Sequence, residues 1–190
     1  MRNLTLVVHL SLDGFVAGAK GELDAFPDGD ENLAFVCNLT READAVLLGR
    51  TTYELLDSYW PTARNNPKAT AAEKGYSDWY NHAQKIIVSR TLPDTENDHT
   101  IIVRESIAGE ISKIKQQPGK DILIFGSPTV TSALMQHDLI DNYWVFMNPV
   151  IFGEGIPLFR GSNHKKQLRL LLTRQFSNGE VAFHYVPERA

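Results

Sequence analysis

Six short apolar runs constrain the fold of this chain more than any other feature of its sequence. They are LTLVVHL (4–10), AVLLG (45–49), KIIVS (85–89), TIIV (100–103), DILIFG (121–126) and NYWVFMNPVIF (142–152). Most of each run is continuously apolar rather than alternating, which is typical of strands that are covered on both faces. The sequence therefore predicts a sheet with further layers on either side.

Helical patterns lie between several of these runs. The isoleucines of ESIAGEISKIKQQPG recur at helical spacing until a Pro-Gly pair ends the pattern. With its flanking strands this segment predicts a β-α-β unit. Two further helices are predicted at about 31–43 and about 129–138, where apolar residues again fall on one helical face.

The C-terminal tail and the segment 61–83 complete the pattern. The tail LRLLLTRQFSNGEVAFHYV has two strand runs around a Ser-Asn-Gly turn at 177–179, which predicts an antiparallel hairpin. In the segment 61–83, a polar half marked by Asn and Pro precedes a half that carries Tyr76, Trp79 and Tyr80. We expect a loop and a short helix there, which either form a lid or pack aromatic side chains under a long connection.

The composition fits one domain over residues 1–190 and argues against several functional classes. Hydrophobic residues make up 43% of the chain, and the formal charge of -4 provides no basic surface for nucleic acid or an anionic membrane. No apolar stretch approaches the roughly 20 residues that cross a bilayer, so we expect a soluble, cytoplasmic protein. Cys37 is the single cysteine, and the six histidines show no ligand spacing, so no disulfide framework or metal site is predicted.

Two of the apolar runs end in the same kind of turn. VLLGRTTYELL and ILIFGSPTVTSALM both place a glycine and hydroxyl residues between a strand and a helix. Glycine permits a sharp turn or the close approach of a ligand, and a hydroxyl can cap the helix whose first N–H groups bind an anion. One such turn also has a purely structural interpretation, but two on neighbouring strands would suit a dinucleotide. Neither turn is a standard Rossmann or P-loop motif.

The run KIIVSRTL ends in Ser89 and Arg90. An arginine at a strand end can pair bidentately with a phosphate, and the serine hydroxyl can act as a second donor. This arrangement favours a nucleotide with a 2′-phosphate, whereas the alternative is a solvated surface arginine. Arg50, directly after the first glycine turn, strengthens the nucleotide interpretation.

The chain resembles the dihydrofolate-reductase-like superfamily in five segments, in this order: VVHLSLDGFVAG, LLGRTTYELL, KIIVSRTL, ILIFGSPTVTSALMQHDLIDNYWVFMNPVIFGEGIPLF and NGEVAFHYVP. It resembles more closely the reductase domain of bifunctional riboflavin-biosynthesis deaminase/reductase enzymes and its stand-alone relatives. The resemblance implies a three-layer α/β fold with a twisted, mainly parallel sheet and a C-terminal antiparallel hairpin. It also implies NADPH bound across the strand ends, reduction of a C=N or similar bond in a pterin- or pyrimidine-like substrate, and a homodimer. The dimer contact would use C-terminal strands, with Trp144 and Phe146 buried in it.

The resemblance also implies roles for individual residues near the cofactor. The loop and helix start that hold its phosphates would be Gly49, Arg50, Thr51 and Thr52. The pair at the 2′-phosphate would be Ser89 and Arg90. The turn on the pyrophosphate side would be Gly126, Ser127, Thr129 and Val130. Near the nicotinamide would lie Ala17 and Gly18. The family often has a second glycine where Ser127-Pro128 stands here, and the proline removes one possible phosphate donor. The deaminase partner domain is absent, since one cysteine cannot supply its zinc ligands.

The proton donor is less well defined. Hydride transfer to an imine-like carbon usually requires a proton at the neighbouring nitrogen, from a carboxylic acid or an ordered water. In dihydrofolate reductases an acid early in the first helix serves the pterin, and Asn32 stands at about that position here. We expect the proton to come from Asp30 or Glu31 just before it, or from a water held there. Asp13, which is also an Asp-Gly turn signal, and Asp24 are the further candidates.

Two interpretations of function remain open from the sequence, with a weaker third. The first is an NADPH-dependent reductase of a small heterocycle; the second is an NADP-binding protein without turnover; the third is a structural dimer module. His9 lies inside the first strand, where a hydrogen-bonded core histidine is favoured over a catalytic one. The substrate would be selected by the loop 19–32 and the segment 61–83.

Overall fold

The apolar runs form six parallel strands in an eight-stranded sheet. The computed structural model describes residues 1–27, 29–95, 97–159 and 165–188. In spatial order the strands are β5 (Thr100–Val103), β4 (Gln84–Val88), β3 (Ala43–Gly49), β6 (Asp121–Phe125), β1 (Leu4–Leu10), β7 (Asn142–Met147), β10 (Val181–Pro187) and β9 (Leu168–Gln175). The first six are parallel to one another, and β10 and β9 continue the sheet antiparallel. A two-stranded sheet pairs β2 (Phe15–Ala17) with β8 (Ile156–Pro157).

Helices cover both faces of the sheet and bury two separate cores. The helices are α1 (Asp30–Arg41), α2 (Arg50–Asp57), α3 (Trp60–Ala63), α4 (Ala71–His82), α5 (Ile107–Gln116) and α6 (Pro128–Met135). One core joins α1 and α4 to side chains such as Val7, and the other joins α5 and α6 to Leu6 and Val8. Successive strand residues point to opposite faces, so the continuously apolar runs supply both cores. The predicted three-layer α/β fold is confirmed.

The segment 61–83 is more regular than predicted. Residues 71–82 form α4, a helix of 12 residues, instead of a short one. Thr70 Oγ1 accepts a hydrogen bond from the Glu73 N–H at 3.2 Å, and the Glu73 carboxylate accepts one from the Thr70 N–H at 2.8 Å. This capping box has a T-x-x-E spacing that is visible in the sequence. Tyr76 and Tyr80 are buried, which supports the interpretation of packed aromatic side chains.

The expected contact of Trp144 and Phe146 with a second chain is wrong. β7 is an internal strand because β10 pairs with its free side. Phe146 is fully buried within the chain, and Trp144 stacks on His184 with ring centroids 4.3 Å apart. The run that was predicted as a strand over 142–152 leaves the sheet after Met147. The edge strand on this side is β9, and all eight of its residues are exposed.

The insertion of β6 between β3 and β1 determines where the loops meet. The chain passes from β1 through α1 to β3, and β6 later fills the position between them. The carboxyl ends of the parallel strands and the hairpin turn 176–180 therefore share one edge of the sheet, which we call the carboxyl edge. Ligands of open α/β sheets bind in a crevice at this edge. Within the described residues, no helix is both long and apolar enough to span a membrane.

Candidate functional site

The two glycine turns lie side by side at the carboxyl edge. β3 and β6 are hydrogen-bonded neighbours, as the paired turns predicted. A Cβ atom on Gly49 would lie 3.2 Å from the Cβ of Ser127 and well inside van der Waals contact with its Oγ. Gly126 and Ser127 both have a φ of 55°, in the left-handed region, where a serine is strained. Close approach of the two turns therefore requires glycine at position 49.

The helices that follow these turns begin without side-chain caps. Gly49 is the N-cap of α2 and Ser127 is the N-cap of α6, and neither helix has an acidic residue in its first turn. The predicted hydroxyl caps do not form, because Thr51 and Thr52 fall inside α2 and Ser127 adopts a left-handed backbone. The first N–H groups of both helices thus lack a cap and can bind an anion.

The other two residues of the second turn differ in exposure. Thr129 is exposed in the first turn of α6, whereas Val130 is buried. The Cγ2 atom of Val130 lies 3.6 Å from the position of a Cβ on Gly49. Val130 therefore packs between the two turns on the side of the core, and of these two residues only Thr129 is accessible to solvent.

Ser89 and Arg90 follow β4 at the same edge. Ser89 Oγ accepts hydrogen bonds from the N–H groups of Thr91 and Leu92 at 3.2 and 2.9 Å. The residue is buried, and its hydroxyl proton takes no part in these two bonds. Arg90 is exposed, as a phosphate-binding side chain would have to be.

Two further arginines lie beside this pair. Arg50 is half exposed, with Nε 3.9 Å from the Glu54 carboxylate on the next turn of α2. Arg104 follows β5, and its guanidinium donates to Asp94 at 2.6 Å and to the Arg90 carbonyl at 3.5 Å. Sequence reasoning missed Arg104, although it follows TIIV as Ser89 and Arg90 follow KIIV.

Ala17 and Gly18 lie in and just after β2, beside the end of β1. The Ser11 N–H donates to the Phe15 carbonyl at 2.9 Å, which joins the two strands. Ala17 is buried, and the Gly18 N–H donates to the Glu22 carbonyl at 2.9 Å. Both residues therefore lie next to the carboxyl edge, and their place near the nicotinamide stays a prediction. Asp28 of the predicted substrate loop 19–32 lies outside the described residues.

Asp13 holds a turn together. Its carboxylate accepts hydrogen bonds from the Ser11 hydroxyl at 2.6 Å and from the N–H groups of Phe152 and Gly153 at 3.2 and 2.8 Å. These bonds, that from Ser11 foremost, lower the pKa of Asp13. The geometry matches the turn interpretation of Asp-Gly, and a catalytic role for Asp13 stays a prediction.

Asp30 and Glu31 occupy the first turn of α1. Asp30 is exposed. Glu31 accepts hydrogen bonds from the Ser177 N–H at 2.9 Å and from Arg174 at 3.3 Å, and these bonds, the one from Ser177 first, lower its pKa. A proton donor must carry a proton at the working pH, so the lowered pKa is unfavourable to Glu31 in that role. The assignment to Asp30 or Glu31 stays a prediction.

A carboxylate that sequence reasoning missed lies fully buried at the same edge. Glu180, at the start of β10, has Oε1 2.7 Å from Nδ1 of His9, and its Oε2 accepts a hydrogen bond from Nδ2 of Asn32 at 2.7 Å. The His9 ring stacks on Phe146 with centroids 4.7 Å apart. Glu180 and Ala182 are both buried, two residues apart on one face of the hairpin strand. The signal in the sequence that could have identified Glu180 was an acidic residue at a position where the strand pattern expects an apolar one.

Two buried amide atoms near this edge have no hydrogen-bond partner among the residues that the structure describes. They are Oδ1 of Asn148, just after β7, and Nδ2 of Asn178, in the hairpin turn. Buried polar atoms are rarely left unpaired, so each is a position where a bound group could be received. In the described part of the chain, no three His, Cys, Asp or Glu side chains form a group that could hold a metal ion.

The sheet order and the carboxyl edge define an α/β protein with the dihydrofolate-reductase-like fold. The chain belongs to the RibD C-terminal domain family, whose model matches residues 2–182. The uncharacterized protein YyaP of Bacillus subtilis is 31% identical over 184 residues, which cover 97% of this chain and 94% of YyaP. The family resemblance that the sequence motifs carried is thus confirmed.

Two solved structures share the fold at low sequence identity. A pyrimidine reductase-like protein from Corynebacterium diphtheriae has a TM-score of 0.71 at 14% identity, over 100% of this chain and 93% of that one. A dihydrofolate reductase from Enterococcus faecalis, solved with NADP(H), has a TM-score of 0.66 at 15% identity, over 98% and 97% of the two chains. The similarity extends over nearly the whole of each chain, so the fold is shared as a unit.

Gly49→Ala should destabilise the protein by about 1–3 kcal/mol, because the new methyl group collides with Ser127 and overpacking of this kind costs that much. Urea unfolding measures the loss. In a Ser127→Gly background, the same Gly49→Ala change should cost much less stability, since the obstructing side chain is gone. Equal losses in the two backgrounds would show that the turns do not touch.

Glu31→Gln should flatten the dependence of stability on acid pH. Because the pKa of Glu31 is lowered on folding, its stabilising contribution is fully present above the ordinary value of 4.5 and is lost as the pH falls through the lower folded value. Free energies of unfolding from neutral pH to about pH 3 test this. The wild type should lose more stability over that range than Glu31→Gln, and Asp30→Asn serves as the neighbouring control. Parallel curves for wild type and Glu31→Gln would contradict the prediction.

Proposed function

We propose that the protein is an NADPH-dependent reductase that transfers a hydride to a C=N or similar bond of a small pyrimidine- or pterin-like heterocycle. One observation carries the proposal: two uncapped helix N-termini and exposed arginines share an edge with a buried carboxylate–histidine pair. Membership of the RibD C-terminal domain family supports an oxidoreductase. The names of the similar structures, a pyrimidine reductase-like protein and a dihydrofolate reductase solved with NADP(H), agree with this class.

The residues at the carboxyl edge fit NADPH. The free N–H groups of α2 and α6 suit the pyrophosphate, and Arg90 with the Ser89 hydroxyl suits the 2′-phosphate. At the end of β1, where Nδ2 of Asn148 donates to the Leu10 carbonyl, Oδ1 of Asn148 has no partner among the described residues and is an acceptor suited to an N–H donor. When bound, the reduced nicotinamide supplies the hydride, and the protein binds, orients and supplies the proton.

The alternative is an NADP-binding protein without turnover. Asn32, which stands where dihydrofolate reductases carry an acid, favours it. A screen of pterins, dihydrofolate and the riboflavin-pathway pyrimidine, followed by NADPH absorbance, distinguishes the two functions. Consumption of NADPH with any of these compounds supports the reductase, and binding without consumption supports the alternative.

NADPH should bind more tightly than NADH. A charge-assisted hydrogen bond to the 2′-phosphate contributes about 1.5–3 kcal/mol, which is roughly ten- to a hundred-fold in affinity. Arg90→Ala should reduce this preference in fluorescence titrations with both cofactors. Arg169→Ala, which removes an exposed arginine from β9, should leave it unchanged. Equal affinity of the wild type for NADPH and NADH would refute the assignment of Arg90.

We also propose that the protein is a homodimer joined along β9. β9 is an edge strand, and its exposed side chains include Leu168, Leu170, Leu171 and Leu172. An exposed apolar edge strand invites pairing with another strand. A second copy offers the same edge, so the two strands can pair antiparallel about a twofold axis.

Light scattering of the wild type should give about twice the 21.3 kDa of one chain. The double variant Leu170→Asp/Leu172→Asp should give a monomer, because it places charges in the proposed contact. Leu23→Asp, at an exposed leucine in the loop after β2, should remain dimeric. A wild-type particle of one chain at micromolar concentration would refute the dimer.

A further inference from the structure

We propose that His9 is a catalytic residue that gives a proton to the nitrogen of the substrate's C=N bond, and that Glu180 and Asn32 position it. This inference rests on the proposed reductase function and names the proton source within it. It arises from one juxtaposition: a fully buried carboxylate has one oxygen on a partly exposed histidine and the other on an asparagine.

The burial of Glu180 requires partners of this kind. A carboxylate transferred out of water is very unfavourable unless its oxygens receive hydrogen bonds. Here both oxygens have partners at 2.7 Å, and the Glu180 N–H donates to Asn178 Oδ1 at 3.1 Å. An apolar residue could fill the same position without that cost. The carboxylate is therefore best explained by what it does to His9.

The pairing determines which nitrogen of His9 faces the ligand. A carboxylate oxygen accepts hydrogen bonds, so Nδ1 carries the proton in this contact. Nε2 is left free, since among the described residues nothing bonds to it and the side chain is 37% exposed. An imidazole held in this way takes a proton from water at Nε2 and can pass it to a bound base.

The surroundings of His9 suit a flat heterocycle. Its ring stacks on Phe146, and Phe26 lies 6.5 Å away between centroids, followed by Phe152 at 5.1 Å from Phe26. β1 pairs with β6 in a register that joins Val7 to Phe125. Extended by two residues on both strands, this register places His9 opposite the turn at Ser127. The proton and the cofactor turn are thus on neighbouring strand ends.

The proposed step balances in protons and electrons. When bound, the reduced nicotinamide would supply the hydride, with its electron pair, to the carbon of the C=N bond. The N–H bond at Nε2 of His9 breaks, a new N–H bond forms on the substrate nitrogen, and the imidazole regains a proton from water. Glu180 accepts the hydrogen bond from Nδ1 and thereby holds the ring in its orientation.

Several charged groups on neighbouring elements lie around His9, and some of them are engaged with other partners. On α1 and β9, Glu31 and Arg174 pair with each other, and Asp13 is bonded to backbone N–H groups. Asp30 at the start of α1, and Glu22 and Asp24 in the loop after β2, are carboxylates of neighbouring elements that are exposed. Glu180 is the titratable group that contacts His9 directly within the described residues.

Nitrogen NMR of histidine-labelled protein tests the positioning without substrate or cofactor. The neutral His9 ring should carry its proton on Nδ1, and Glu180→Gln should reduce the population of that tautomer. The signal is assigned by its loss in His9→Gln. His184, which stacks on Trp144 away from Glu180, provides the internal control. A His9 ring with its proton on Nε2 in the wild type would overturn the proposal.

Kinetics test the catalytic role on whichever substrate the screen identifies. His9→Gln and His9→Asn should lower kcat by about 10²–10⁴-fold, the usual contribution of a general acid, and should remove its pH dependence while NADPH still binds. Glu180→Gln should lower kcat through the wrong tautomer, and Glu180→Asp should restore part of it. His184→Gln should have wild-type kcat. Bound NADPH reports that each variant is folded.

The outcomes separate the two proposals. An active wild type with undiminished kcat in both His9 variants refutes the role of His9 and leaves the reductase intact. So does a loss of kcat in Asp30→Asn or Glu31→Gln that the His9 variants do not share. A wild type that binds NADPH and reduces none of the screened compounds refutes the reductase, and the catalytic role of His9 with it.

Discussion

The position of β6 between β3 and β1 is the constraint on which the rest of the structure depends. Parallel strands pair only through long crossovers, and this insertion makes the carboxyl ends of three strands adjacent although they are distant in sequence. It brings Gly49 against Ser127. It also leaves the other side of β1 to β7, so that β10 can follow and place Glu180 beside His9. The proposed cofactor turns and the proton-donating pair thus share one topological cause.

Much of the fold could be predicted from the sequence because burial on both faces leaves continuous apolar runs. Strands β1 and β5 have the bounds predicted for them, and the hairpin turn lies at Gly179, which has a φ of 88°. The length of α4 was underestimated because its buried tyrosines lie among polar residues. The internal position of β7 was missed for another reason. Which strand forms an edge depends on pairing order, and an apolar run alone does not encode that order.

Some features of the candidate site could likewise be predicted from the sequence, and others could not. Glycine turns and arginines at strand ends are local features, so the sequence could predict that Gly49, Gly126 and Arg90 share an edge. The pair of His9 and Glu180 joins residues 171 positions apart, and no spacing rule connects them. The sequence favoured a hydrogen-bonded core histidine at position 9. The ring is hydrogen-bonded and stacked, but it is also partly exposed. The partner that orients the ring, Glu180, comes close only in the folded chain.

The carboxyl edge also separates charge along its length. The arginines at positions 50, 90 and 104 follow β3, β4 and β5, whereas the buried Glu180 lies beside β1 and β10, where Glu31 is paired with Arg174. A phosphate is attracted to the first end, so the proposed dinucleotide would have one favourable orientation across the edge. That orientation would direct its far end toward His9. In the proposed function, a cofactor bound in this orientation would bring its hydride to the end of the edge that holds the buried Glu180 and the partly exposed His9.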